Sequence, residues 1–249
     1  MSYSPRIALI TGASHPDDIG TAVCRKLAAQ GMTICFTYWK ADPSWIKTFQ
    51  AELAANGTQS EAFEIDLSAP DAAERVFTHT LSTVGTPSVL INNAAHSTQT
   101  DLASLDITAL DAHYAVNIRS TLLLSVLFAR QFEQAGLQNG RIVNMTSGQD
   151  LGPMPDELAY AATKGAISAF TTSFSLAVAP LGITVNALNP GPTDSTWMTD
   201  DVRTQLQPQF PFGRIGTPSD AARTIAFLVS EDAAWITGQI IHAEGGFIR

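Results

Sequence analysis

Hydrophobic and polar positions follow a repeating order along the chain that predicts strands and helices in strict alternation. Short apolar runs rich in β-branched residues are typical of buried strands, and the longer stretches between them suit helices. Such alternation predicts a parallel sheet covered by helices on both faces, which is an α/β, doubly wound architecture. The predicted strands are Arg6–Thr11, Met32–Tyr38, Ser60–Asp66, Ser88–Asn92, Arg141–Thr146, Ile183–Leu188 and Gln239–His242.

Capping residues mark several helix boundaries in this pattern. Ser68 and Thr217 each stand three residues before an acid, which is the arrangement of a helix N-cap. Glycines lie where helices should end, at Gly31, Gly85 and Gly182. No linker or break in composition interrupts the alternation, so we expect a single domain over residues 1–249.

Composition narrows the class of protein. The hydrophobic fraction of 45% in 249 residues is ample for a core, and no apolar run is long enough to span a membrane. The polar start leads directly into a strand without the features of a signal peptide, so we expect a soluble, cytoplasmic protein. A net charge of −9 argues against nucleic acid or an anionic membrane as a partner.

The cysteines and histidines give no sign of a disulfide or a metal site. Cys24 and Cys35 lie in apolar segments, which predicts buried, reduced thiols. The five histidines are scattered along the chain without a ligand-like spacing. We therefore expect no metal ion.

The first predicted strand leads into TGASHPDDIG, where a glycine turn precedes a helix. This order can place a diphosphate on free backbone amides at the helix N-terminus. Gly12 would allow the tight turn, and Gly20 a close approach of helix and strand. The central glycine of the usual fingerprint is missing, so an ordinary tight turn is an alternative. Asp18 should turn away from a diphosphate and cap the helix at Ile19.

A tyrosine and a lysine stand four residues apart in YAATK, at Tyr160 and Lys164. If this segment is helical, their side chains lie one turn apart on the same face. The lysine ammonium should then lower the pKa of the tyrosine, so that the phenol can act as a general acid/base. On this motif alone, an ordinary exposed pair on a surface helix is an equal alternative.

Further motifs follow in a fixed order. They are Thr11-Gly12 with Ile19-Gly20, Asp66-Leu67, NNAA at 92–95, Asn117, Ser147, Tyr160 with Lys164, and NPG at 189–191. Their order and spacing resemble the classical short-chain dehydrogenases/reductases over essentially the whole chain, most closely sequences labelled 3-oxoacyl-acyl-carrier-protein reductase. This resemblance implies a single-domain Rossmann fold with a seven-stranded parallel sheet.

The resemblance also implies a role for each motif. Ser147 would bond the substrate oxygen, Tyr160 would be the general acid/base, and Lys164 would also hold the nicotinamide ribose. Asn117 would support a water-mediated proton relay to the lysine. The implied cofactor contacts are Gly12, Ser14, His15, Ile19, Gly20, Trp39, Lys40, Asp66, Leu67, Asn93, Ala94, Ala95, Tyr160, Lys164, Pro190, Gly191, Thr193 and Ser195. The expected substrate contacts are His96, Gln149, Met154, Trp197 and Met198.

The choice of cofactor depends on the end of the second strand. In this fold an acid there binds the adenosine ribose and selects NAD, whereas a basic residue accommodates the 2′-phosphate of NADP. The segment reads FTYWKAD, with Lys40 after the strand, and His15 stands where many NADP-dependent relatives have arginine. We therefore favour NADP(H). NAD(H) is the alternative, with Asp42 folding back to the ribose.

Three positions depart from the family pattern. The glycine loop is two residues longer and carries Asp18 in place of its central glycine, Ala95 replaces a glycine, and Ser195 replaces a threonine. These changes alter the loop expected to contact the phosphates and retain a hydroxyl at position 195. The segment 192–213 forms a substrate lid that is apolar by composition. Its large apolar side chains are Trp197, Met198, Phe210 and Phe212, and half of them should simply pack the lid onto the body.

The expected substrate is a small ketone, aldehyde or secondary alcohol. The alternative is a 3-oxoacyl-acyl-carrier-protein reductase, but the places where such enzymes carry basic docking residues here hold Gln138-Asn139 and Pro180-Leu181. A non-redox lyase or a cofactor-binding sensor is less favoured, because Lys164 and the intact Ser147–Tyr160 pair are retained. Enoyl reductases of the family space tyrosine and lysine by seven residues, and Glu157 occupies that position.

Assembly is predicted from apolar residues that exceed one buried stripe. The stretch Ser120–Gln134 and the helix after Tyr160 carry such residues on more than one face. The resemblance implies that these helices pair with symmetry mates and that the terminal GGFIR contacts another subunit. We expect a homotetramer, with a dimer as the alternative.

Overall fold

A computed structural model describes residues 6–249, and the polar start at 1–5 lies outside the described residues. Seven strands form one parallel sheet in the order β3-β2-β1-β4-β5-β6-β7. The Rossmann-type prediction is confirmed. The strands are β1 (Ile7–Ile10), β2 (Thr33–Tyr38), β3 (Ser60–Glu64), β4 (Val89–Asn92), β5 (Gly140–Met145), β6 (Ile183–Asn189) and β7 (Ile240–His242).

Helices connect the strands and cover both faces of the sheet. They are α1 (Ile19–Ala28), α2 (Pro43–Ala55), α3 (Ala72–Thr83), α4 (Ile107–His113), α5 (Thr121–Gln134), α6 (Leu158–Val178), α7 (Asp200–Leu206) and α8 (Pro218–Leu228). A π-helical segment at Tyr114–Ser120 joins α4 to α5, and short 3₁₀ turns follow α6 and α7. No helix within residues 6–249 is both long enough and apolar enough to cross a membrane.

Two apolar layers hold the helices on the sheet. One layer packs α1, α2 and α8 on one face, with Phe36 and Phe49 in ring contact at 5.3 Å. The other packs α3, α5 and α6 on the opposite face, around the stacked rings of Phe128 and Phe132. The cysteines are free and buried, as predicted, and burial raises the pKa of the Cys35 thiol to about 11.

Helix starts agree with the sequence in one case and differ in another. Thr217 precedes α8 in a capping box, where Asp220 accepts the Thr217 N–H at 2.8 Å. The expected cap at Ser68 is wrong, because α3 begins only at Ala72. The Ser68 N–H donates instead to the Asp66 carboxylate at 2.8 Å, so a turn precedes the helix. The glycines predicted at helix ends all have positive φ, at Gly31, Gly85 and Gly182.

The sheet brings the sequence motifs to one edge. The glycine loop follows β1, NNAA ends β4, Ser147 follows β5 and NPG follows β6. In a parallel sheet the carboxyl ends of the strands share an edge, and ligands of doubly wound folds bind there. The candidate site therefore lies across the carboxyl ends of four neighbouring strands, in the order β1, β4, β5 and β6.

Candidate active site

The glycine loop is tightly fitted against its surroundings. Gly12 has φ of +76°, and a Cβ there would lie 2.8 Å from the Cα of Ala94. A Cβ on Gly20 would lie 2.1 Å from the Gly12 carbonyl oxygen. The Asn93 side chain donates to the carbonyls of Thr11 (2.9 Å) and Gly12 (2.8 Å). These contacts bring the first turn of α1 against the end of β1, which is the arrangement that binds a diphosphate in other doubly wound folds.

Asp18 caps α1 as predicted and also holds the loop before it. Its Oδ1 accepts the Thr21 N–H at 2.6 Å. Its Oδ2 accepts the amides of Ser14 (2.7 Å) and His15 (2.9 Å), a contact that the sequence did not predict. Burial raises the pKa of this carboxyl group, although the hydrogen bonds act in the opposite sense.

The end of β2 lies beside this loop. The Trp39 N–H donates to Ser14 Oγ at 3.1 Å, and the half-exposed Trp39 ring lies 5.6 Å from the Lys40 ammonium. Lys40 itself adopts a positive φ of 52°. Asp42 caps α2 by accepting the Ser44 N–H at 2.8 Å, so its carboxylate already has a structural role.

The turn after β3 forms the next part of the cleft. Asp66 Oδ1 accepts the Ser68 N–H, and Leu67 is buried behind it. Ala94 and Ala95 follow β4, where Thr11 Oγ1 receives the amides of Asn93 and Ala94, each at 3.0 Å. These residues form the floor of the cleft along the carboxyl ends of β1, β3 and β4.

Ser147, Tyr160 and Lys164 are brought together between β5 and α6. The Ser147 side chain lies near the Tyr160 hydroxyl group and acts to lower the pKa of Tyr160. Lys164 Nζ lies 5.3 Å from the centroid of the Tyr160 ring and donates to the Met145 carbonyl at 2.7 Å. The expected helical juxtaposition of Tyr160 and Lys164 is therefore present.

Burial dominates the ionisation of this pair. Desolvation raises the pKa of Tyr160 to about 12, and the charge of Glu157 adds to that rise, while the hydrogen bond with Ser147 opposes it. Burial lowers the pKa of Lys164 to about 8. The expected lowering of the tyrosine pKa by the lysine is thus wrong for this structure, because removal from water is the largest influence on Tyr160 and raises its pKa.

Asn117 lies in the π-helical segment and faces the loop after β4. Its side chain accepts the His96 N–H at 2.7 Å and donates to the His96 carbonyl at 2.9 Å and to Thr163 Oγ1 at 3.0 Å. The wider π turn lets one side chain bond both β4's loop and α6. Asn117 therefore fixes the position of His96 beside the Tyr160 helix.

A second histidine, which the sequence did not indicate, supports this region. His113 is fully buried, and its ring meets that of His96 edge-on at 4.7 Å. Its Nδ1 faces the Ala109 carbonyl at 2.7 Å, and its Nε2 accepts the Thr98 N–H. Burial and the charge of His113 lower the pKa of His96. Only the tertiary contact between the two rings reveals His113.

The lid follows the NPG turn after β6. Gly191 has φ of +65°, and Thr193 is buried, with Ser195 next to it at the mouth of a cavity of about 710 Å³ that also reaches His15 and α1. Met198 and Phe210 are buried in the body, whereas Trp197 and Phe212 are 55% and 80% exposed. Half of the apolar lid residues thus pack the lid down, as expected.

The remaining predicted substrate residues differ in how far their side chains are already bonded to the protein. Gln149 follows Ser147, but its amide donates to Ser168 Oγ at 3.1 Å and to Asp150 at 2.8 Å, which draws it towards α6. Met154 is half-buried in the loop before α6. Trp197 Nε1 donates to the Thr193 carbonyl at 2.9 Å. Among residues 6–249, no cluster of His, Cys, Asp and Glu side chains is arranged to hold a metal ion.

Comparisons with known proteins agree with this geometry. A family model described as enoyl-(acyl carrier protein) reductase matches residues 12–248. An uncharacterized oxidoreductase of Bacillus subtilis (strain 168), YjdA, is 64% identical over 250 residues, covering 100% of both chains. The chain belongs to the short-chain dehydrogenase/reductase family. It is an oxidoreductase of that family, whose members generally bind NAD(P)(H), and the resemblance drawn from its motifs is confirmed.

More distant members of the family carry more specific names. A 3-oxoacyl-[acyl-carrier-protein] reductase of Synechocystis (strain PCC 6803) is 31% identical and covers 99% of this chain and 98% of its own. The structure of acetoin dehydrogenase YohF from Salmonella typhimurium superposes with a TM-score of 0.86 at 29% identity, covering 98% and 96% of the two chains.

The C-terminus of this short-chain dehydrogenase/reductase adds residues that the motifs did not indicate. Glu244 is buried, accepts from Asn189 Nδ2 at 2.8 Å and pairs with the guanidinium of Arg249. A Cβ on Gly148 would lie 2.1 Å from Arg249 Nη2, so the guanidinium lies directly on the loop after Ser147. In the sequence, the acid and the arginine of HAEGGFIR could have indicated this ion pair.

We expect Arg249→Ala to destabilise the protein, because the buried Glu244 carboxylate would lose its cationic partner. The free energy of unfolding should fall by about 2 kcal/mol. Arg223→Ala is the control, since it removes an exposed arginine whose ion pair with Asp220 should contribute less than about 1 kcal/mol. Urea denaturation of both variants measures the difference. Equal losses would show that Arg249 is not needed to stabilise Glu244.

Proposed function

We propose that the protein transfers hydride between NADP(H) and a small ketone, aldehyde or secondary alcohol. The observation that carries this proposal is the meeting of Ser147, Tyr160 and Lys164 between β5 and α6, with the lysine ammonium 5.3 Å from the centroid of the tyrosine ring. A lyase on this fold would not need the lysine, and a sensor would not need the hydroxyl pair. The spacing of four residues between Tyr160 and Lys164 also differs from the seven of enoyl reductases.

The described residues fit a bound nicotinamide dinucleotide. The absence of side chains at Gly12 and Gly20 lets the first turn of α1 lie directly on the end of β1, where a Cβ on either residue would clash. The first turn of α1 would hold the diphosphate, and the turns at Asp66 and Gly191 would flank the adenine and nicotinamide halves. When bound, the nicotinamide supplies or receives the hydride.

The protein side chains would handle the proton and the substrate oxygen. Ser147 would donate a hydrogen bond to that oxygen as charge develops on it. In carbonyl reduction Tyr160 would give its proton to the same oxygen, and burial keeps the phenol protonated at neutral pH. Lys164 would hold the ribose hydroxyls, and Asn117 would connect the lysine to a proton-carrying water.

A small substrate is favoured over an acyl carrier protein. Gln138-Asn139 and Pro180-Leu181, where docking enzymes of the family carry basic residues, lie at the surface without a positive charge. With a net charge of −9, the chain would repel a strongly acidic partner. The structural relative named acetoin dehydrogenase makes short hydroxyketones the first substrates to assay. Turnover of 3-oxoacyl thioesters on acyl carrier protein would favour the alternative.

We expect Tyr160→Phe to lower kcat by about a hundredfold or more, since the transferable proton is lost. Nucleotide binding should stay nearly intact, whereas Lys164→Ala should impair both binding and turnover. Tyr114→Phe, which changes an exposed tyrosine, is the control. Steady-state kinetics and titration of the reduced cofactors measure both effects. A Tyr160→Phe enzyme that keeps more than about a tenth of kcat would contradict the general-acid role.

We expect NADPH to bind more tightly than NADH, because Lys40 is the cation nearest the end of β2. Lys40→Asp should reverse the order, since a carboxylate there would repel the 2′-phosphate and could accept from the ribose hydroxyl. Lys47→Asp makes the same charge change on the exposed face of α2 and is the control. Isothermal titration of both cofactors decides the point. A clear NADH preference in the unmodified protein would refute the assignment.

We expect a homotetramer. Apolar side chains on α4, α5, α6 and the π-helical segment are exposed in the single chain, including Ile107 (75%), Tyr114 (50%) and Leu176 (74%). Such faces are usually covered by another subunit. Light scattering should give about four times the chain mass of 26.5 kDa. A mass of one chain would refute the predicted subunit contacts. A mass of two chains would limit these contacts to the helical surface.

A further inference from the structure

The lengthened glycine loop contains an anion of its own. The consecutive amides of Ser14 and His15 converge on one oxygen of Asp18, at 2.7 and 2.9 Å. Consecutive N–H groups that converge in this way form a nest, a common binding place for phosphate and other anions. In this chain the nest is filled by a carboxylate from the loop itself.

The filled nest lies beside the part of the cleft that distinguishes the two nicotinamide cofactors. Ser14 donates its N–H to Asp18 and accepts the N–H of Trp39 through its hydroxyl oxygen, so it joins the nest to the end of β2. In a doubly wound fold the residues at the end of this strand contact the 2′ position of the adenosine ribose. The Asp18 carboxylate is therefore separated from that position by a single residue.

Partial burial makes the charge of Asp18 act more strongly on its surroundings than the charges of the other acids nearby. Asp17 is exposed next to it, and Glu64 is exposed at the end of β3, so water and salt screen both. Asp18 is half-buried beneath the loop, where charges interact over several ångströms with less screening than at the open surface. Lys40, which follows β2, is exposed and well solvated.

We infer that Asp18 is a specificity-determining residue that weakens the binding of a 2′-phosphate. It denies that phosphate the amides of Ser14 and His15 and places a fixed negative charge beside it. The preference for NADP(H) would then result from two opposing charges, with Lys40 attracting the phosphate and Asp18 repelling it. This inference rests on the proposed function for the identity of the cofactor.

The test compares Asp18→Asn and Asp18→Ser with the unmodified protein. Asparagine removes the charge, and serine keeps an N-cap for α1 while opening the nest. Asp17→Asn, an identical charge change on the neighbouring exposed residue, is the matched control. Dissociation constants are measured by isothermal titration for NADPH and NADH. They are also measured for adenosine 2′,5′-bisphosphate and adenosine 5′-monophosphate, which contain no nicotinamide.

Both Asp18 variants should raise the affinity for the 2′-phosphorylated ligand relative to its counterpart by about tenfold, in the dinucleotides and in the fragments. Asp17→Asn should change this ratio by less than about twofold. Loss of affinity for all four ligands together, with the ratio unchanged, would mean that Asp18 only organises the loop and would overturn the inference. An equal rise of the ratio in Asp17→Asn would overturn it as well.

The outcomes separate this inference from the proposed function. If the unmodified protein binds both dinucleotides but reduces no carbonyl, the proposed reaction fails. The ratio of the affinities for the 2′-phosphorylated ligand and its counterpart still tests the role of Asp18. If the protein turns over a carbonyl and the ratio does not respond to Asp18, the inference fails and the reaction stands.

Discussion

The close contact between Gly12 and Gly20 is the constraint on which the site depends. Because neither residue has a Cβ, the first turn of α1 lies directly on the end of β1, and Asn93 bonds the carbonyls of Thr11 and Gly12 from the side. A second chain of hydrogen bonds runs from Asn92 to Asn144 (2.8 Å) and from Asn144 to Thr171 (2.9 Å). Together they connect the glycine loop through β4 and β5 to α6, the helix of Tyr160. The glycine loop and the helix of Tyr160 are thus held at a fixed relative position by these side-chain amides.

Burial then sets the protonation of Tyr160 and Lys164. A phenolate and an ammonium attract each other, but both are charged, and removal from water opposes each of them. Tyr160 is consequently kept as a phenol, and the pKa of Lys164 falls to about 8, with its Nζ bonded to the Met145 carbonyl. The proposed transfer of a proton from Tyr160 to a carbonyl oxygen would therefore start from the protonated phenol.

Local sequence signals predicted the parts of the structure that depend on neighbouring residues. The strand positions followed from β-branched runs, and the caps at Thr217 and Asp18 followed from side chains that bond an amide three residues on. Ser68 failed as a cap because α3 begins only at Ala72, after a turn in which Asp66 accepts the Ser68 N–H. The contact of His113 with His96 and that of Arg249 with the loop after Ser147 could not be found in this way, since they join segments far apart along the chain. The nest filled by Asp18 was also missed, because it depends on the path of a lengthened loop.

The segment 192–213 depends on such distant contacts more than the residues around Tyr160 do. Phe247 packs on Phe210 of the lid with ring centroids 5.0 Å apart, and the Ile248 N–H donates to the Gln209 carbonyl at 2.9 Å. One residue later, Arg249 lies on the loop that follows Ser147. Residues 247–249 therefore join the segment 192–213 to the loop that follows Ser147. Because both segments flank Ser147 in the proposed site, changes in residues 247–249 would be one way for substrate choice to diverge among relatives that share every motif.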